Sequence, residues 1–146
     1  MNLLSTAPQR PMEILLVEDD PGDALLTVKA LRSCSTRVGI HTVPTAEEAL
    51  EWLNDEDEST PDLLLLDLNL PGMSGSDLLL EIKTHYEMRR IPVIILSSSR
   101  AQDDVLTAYN RHCNAYVEKP SDPAAFEEFA KSINDFWFNT SLLPAR

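Results

Sequence analysis

Asp62-Leu63-Leu64-Leu65-Leu66-Asp67-Leu68-Asn69-Leu70-Pro71-Gly72 is the stretch that decides the fold. Four uninterrupted leucines read as a short strand covered on both faces, since a strand with one wet face would alternate. Glu13-Ile14-Leu15-Leu16-Val17 reads the same way, as does Pro92-Val93-Ile94-Ile95-Leu96, which is rich in β-branched residues. Asn114 to Glu118 is a further strand, and Val38 to Val43 a weaker, alternating one suited to a sheet edge.

Helical patterns lie between these strands. Leu25, Val28 and Leu31 share a face within Asp23 to Arg32. Thr45 and Glu48 have capping-box spacing and open a helix through Leu53. Asp77 to His85 and Ala101 to His112 are further helices, and Asp122 caps the last, with Pro123 at its first position. Strands alternating with helices give a parallel sheet with helices on both faces, a three-layer α/β domain of the doubly wound kind.

The chain has 146 residues, which suits one domain. Twelve Lys and Arg stand against 24 Asp and Glu, a formal net charge of −12. Such a surface repels phosphate backbones and anionic lipid, so neither nucleic acid nor membrane is an expected partner. The run Asp55-Glu56-Asp57-Glu58 reads as a solvated loop. Cys34 and Cys113 have no metal-ligand spacing and read as reduced thiols. With no apolar run of transmembrane length and no signal peptide, the expected location is the cytoplasm.

Chemically capable groups follow the apolar strands directly: Glu18-Asp19-Asp20, Asp67, Ser97-Ser98-Ser99 and Lys119-Pro120. The carboxyl ends of a parallel sheet share one edge, where ligands bind. Glu18, Asp19 and Asp67 brought together would repel or take up protons unless a cation intervened. A hard dication such as Mg²⁺ suits a few carboxylates and several waters, and without His or Cys the set does not suit Zn²⁺. A carboxylate beside Mg²⁺ can accept a phosphoryl group, with Lys119 and Ser97 as partners for its oxygens.

The segments Ile14 to Asp20, Leu63 to Gly72, Pro92 to Ser98 and Tyr116 to Pro120 together resemble the receiver domain of two-component response regulators. The resemblance spans roughly residues 12 to 138. It implies a flavodoxin-like (βα)5 fold with strand order 2-1-3-4-5. By position it makes Asp67 the phosphoacceptor, with Asp19 holding Mg²⁺ directly, Glu18 through water and Asn69 through its main-chain carbonyl. Ser97 matches the switch hydroxyl, Lys119 the phosphoryl-pairing lysine and Tyr116 the aromatic switch, with Pro120 where some receivers have a cis peptide.

The resemblance implies a signalling protein that takes a phosphoryl group from a sensor histidine kinase, with limited self-catalysed transfer and autodephosphorylation. A Mg²⁺-dependent phosphohydrolase is the rival enzyme reading. That chemistry wants a second Asp two residues after the nucleophile, where this chain has Asn69. A pseudo-receiver would be expected to lack one of the five site residues. The expected organisation is an N-terminal extension over residues 1–11, a receiver over 12–138 and a tail over 139–146. No separate output domain is expected, so output would pass through the surface. The aromatic end, Phe136, Trp137 and Phe138, resembles single-domain regulators paired with bacterial phytochrome kinases. With Tyr109, these aromatics are the expected partner surface, the helix and tail forming a homodimer.

Overall fold

The computed structural model describes residues 11–34 and 37–145. The expected N-terminal extension therefore lies outside the described residues except at Pro11, as does Arg146 at the end of the tail. In chain order the elements are β1 (Met12–Val17), α1 (Pro21–Cys34), β2 (Val38–Val43), α2 (Ala46–Asn54), β3 (Leu63–Asp67) and α3 (Gly75–Thr84). A 3-10 turn at Met88–Arg90 leads into β4 (Val93–Ser97), α4 (Gln102–Asn110), β5 (Ala115–Glu118) and α5 (Pro123–Ile133). A π-helical turn, Asn134–Phe138, follows.

The strands form one parallel sheet in the order β2-β1-β3-β4-β5, as expected. Side chains alternate across it. Leu15, Val17, Leu64, Leu66, Val93 and Ile95 meet α2, α3 and α4 through Ala46, Ala49, Leu78, Leu79, Ile82 and Ala108. Ile14, Leu16, Leu63, Leu65, Ile94 and Leu96 meet α1 and α5 through Ala30, Leu31, Phe126, Phe129, Ala130 and Ile133. All four leucines of β3 are fully buried, which is why the run cannot alternate. Truncating one to Ala costs about 2–5 kcal/mol in cores of this kind.

Two local expectations change. Thr45 caps α2 by accepting Glu48 N–H at 3.1 Å, but the Glu48 carboxylate accepts the Thr45 hydroxyl at 3.2 Å rather than the backbone N–H of a full capping box. The aromatic stripe of the last helix also shifts. Helical spacing extends the stripe of Phe126, Phe129 and Ile133 to Phe136 as the next inward position. The wider π-helical turn instead leaves Phe136 53% exposed and sets Trp137 and Phe138 against the core. No cis peptide bond occurs among the described residues, so Lys119–Pro120 is trans.

Candidate functional site

Each strand carries its polar residue onto the same sheet edge because the core consumes the apolar run one residue earlier. Asp67 and Ser97 are themselves the last residues of β3 and β4, paired with Leu96 and Glu118. Burial follows: Glu18, Asp67 and Ser97 are among the few buried polar side chains. The chain must also come very close here. A Cβ on Gly75 would lie 2.2 Å from the Asp67 carbonyl oxygen, so only glycine lets α3 start against the end of β3. Ser74 caps that helix by accepting Asp77 N–H at 3.0 Å.

Lys119 is the centre of the charge pattern. Its Nζ lies 2.6 Å from Glu18 Oε1, 2.9 Å from Asp23 Oδ2 and 3.1 Å from Asp67 Oδ2. Burial alone would lower its pKa. Its hydrogen bonds to Glu18 and Asp23, with the charges of Asp67 and Glu18, more than reverse this and hold the ammonium well above the usual lysine range. Glu18 is pushed up to about 7 by burial and by the Asp67 charge, against the lowering pull of Lys119 and the Asp20 amide.

The second Asp67 oxygen accepts the Asn69 backbone N–H at 3.0 Å, which fixes the carboxylate from the β3–α3 side. Glu18, Asp19 and Asp67 each bring one oxygen within 4.8 Å of the others. Oxygen donors, two of them on buried side chains, suit a hard divalent cation. Three carboxylates face one ammonium and Asp19 adds a fourth to the cluster, so added positive charge is what the pocket lacks. The residues therefore fit a divalent ion.

The remaining predicted residues divide. Ser97 Oγ accepts Ser99 N–H at 3.1 Å, and Tyr116 donates its hydroxyl to the Ser99 carbonyl at 2.8 Å. Asn69 is exposed beside Asp67. Tyr109, half exposed, accepts the Tyr116 backbone N–H at 3.3 Å. Phe136, Trp137 and Phe138 lie far along the chain at the end of α5 and do not join the cluster. Asp20 serves the helix instead of the site, its Oδ1 accepting from Gly22 and Asp23 N–H at the start of α1. Asp23 is the site carboxylate that sequence reasoning missed. Its signal was available: it stands four residues after Asp19, in the first turn of the helix that opens at the cluster.

The response regulator receiver domain model matches residues 14–131. The chain belongs to the response regulator receiver family. Response regulator Rcp1 of Synechocystis is 34% identical over 97% of this chain and 99% of its own. Among solved structures, the phosphorylated cyanobacterial phytochrome response regulator RcpA superposes with a TM-score of 0.87 at 37% identity, covering 92% of this receiver and 99% of RcpA. The Mn²⁺-bound form of Rcp1 gives 0.86 at 34%, covering 92% and 100%. This receiver is thus a two-component signalling protein related to phytochrome response regulators. No helix among its described residues is long and apolar enough to cross a membrane.

Proposed function

We propose that this receiver accepts a phosphoryl group on Asp67 from the phosphohistidine of a sensor kinase, a phytochrome-type kinase being the partner its relatives favour. One observation carries the reading: a buried Asp67 carboxylate with Lys119 Nζ at 3.1 Å and two further carboxylates close by. An Asp67 oxygen forms the new P–O bond while the P–N bond of the donor breaks, its electron pair returning to the imidazole nitrogen. Lys119 supplies positive charge where the transferring oxygens spread theirs, and Ser97 supplies a hydroxyl. Glu18, Asp19 and Asp67, with the Asn69 carbonyl, would hold Mg²⁺, which when bound neutralises phosphoryl charge. The Mn²⁺ form of Rcp1 supports a divalent ion in this role.

Ser97 and Tyr116 form the switch, and limited self-catalysed uptake and autodephosphorylation accompany it. Residues 12–138 form the signalling unit in the cytoplasm, with residues 139–146 as a tail. Output runs through protein contacts, including a homodimer along α5 and the tail. The exposure of Phe136 and Tyr109 supports such a surface, Trp137 and Phe138 backing it from the core. Incubation with acetyl phosphate tests the central step. Intact mass should rise by one phosphoryl group in wild type with Mg²⁺, and not after chelation or in Asp67→Asn. Uptake by the folded Asn variant at the wild-type rate overturns the assignment.

A further inference from the structure

α4 is held differently from the other helices. Its one buried side chain is Ala108, while Leu106 and Tyr109 are exposed. It also lacks a side-chain cap at Ala101. Polar contacts pin its two ends instead. At its C-terminus, Arg111 Nη1 donates to Ser76 Oγ and Asp77 Oδ1, both at 3.0 Å, tying it to α3. At its start, the Ser99 hydroxyl donates to Asp104 Oδ2 at 2.5 Å and accepts Ala101 N–H at 3.2 Å. A hydroxyl donating to a carboxylate makes a charge-assisted bond.

Ser99 also holds both residues of the switch, through its backbone. Its N–H donates to Ser97 Oγ and its carbonyl accepts the Tyr116 hydroxyl. One residue thus joins the hydroxyl nearest the acceptor edge, the half-buried tyrosine and the first turn of the weakly anchored helix. We propose that Ser99 is a positioning residue, its hydroxyl a latch that transmits phosphoryl uptake at Asp67 to α4. The proposal rests on the functional reading above. When Ser97 turns toward a phosphoryl oxygen, it carries the Ser99 amide with it. That displacement moves the Ser99 hydroxyl from Asp104 and frees the start of α4, the Arg111 end acting as the hinge.

Hydrogen exchange of the full chain over residues 101–110, before and after acetyl phosphate with Mg²⁺, tests this, with intact mass read on the same samples. In wild type, uptake should raise α4 exchange several-fold. In Ser99→Ala, exchange should start roughly fivefold higher, the value of one lost hydrogen bond, and uptake should add little more. Ser99→Thr, which keeps the hydroxyl, should restore the response. A merely structural role would raise the baseline yet leave the uptake-dependent increment intact. That result, with normal mass gain, overturns the latch alone. No mass gain in wild type overturns the functional reading and the latch with it.

Discussion

Lys119 and Lys83 sit at opposite ends of the same sheet, each more buried than a lysine prefers, and they answer burial in opposite ways. Lys119, beyond the carboxyl end of β5, faces three carboxylates and is held protonated well above the usual range. Lys83, in the last turn of α3, points to neutral acceptors: the carbonyls of Ile91 at 2.8 Å and Arg89 at 3.2 Å, and Asn114 Oδ1 at 3.1 Å. Burial lowers its pKa, against the raising pull of Cys113. Lys83 is a staple that satisfies carbonyls where the chain enters β4 and β5. A charge among counter-charges is poised for chemistry, whereas one among dipoles holds the fold together.

That contrast sets the predictions. Removing the ammonium at the carboxylate end, in Lys119→Met, should slow phosphoryl uptake by about a hundredfold or more, the usual cost of losing one donor to a developing oxyanion. Mass gain followed over time from acetyl phosphate measures it, and uptake at the wild-type rate would erase the distinction between the two lysines. Lys83→Met should leave uptake unchanged and lower the free energy of unfolding by about 1–3 kcal/mol, since its acceptors lose their charged donor. Urea denaturation reads this directly. A slowed uptake with unaltered stability would reverse the assignment of roles.

The smallest effect is in the pH dependence. Between the lowered folded pKa of Lys83 and its ordinary value of 10.5, the unfolded chain binds more protons than the folded one. Lys83 therefore makes stability rise with pH through that window. Lys119, with its pKa raised, contributes stability present below 10.5 and lost as pH climbs through its folded value. Burial raises Cys113 above 9.0, so its titration interferes and the Lys83 comparison belongs in a Cys113→Ala background. There, the stability gap between Lys83 and Lys83→Met chains should widen as pH approaches 10.5. A gap that narrows would mean that burial does not govern this lysine.

The same contrast explains what could be read from the sequence. Lys119 was legible because it directly follows a strand and precedes a proline, and sheet topology sends every strand end to one edge. Asp67, Glu18, Asp19 and Ser97 were legible for the same reason. Strand boundaries moved by a residue because backbone pairing continues through Asp67 and Ser97 after the apolar run stops. Nothing in the sequence marks Lys83. Only the approach of the chain before β4 and of Asn114 surrounds it with acceptors. Asp23 depended on the rotation of the first turn of α1, and the inward turn of Trp137 and Phe138 on a π-helical turn that periodicity cannot register.

Where the phosphoryl group lands is the most direct question. After incubation with acetyl phosphate and Mg²⁺, borohydride reduction converts an aspartyl phosphate to homoserine, which peptide mass mapping locates. Conversion confined to residue 67 is the expected result. Conversion at Asp19, Asp20 or Asp23 with residue 67 intact would contradict the account.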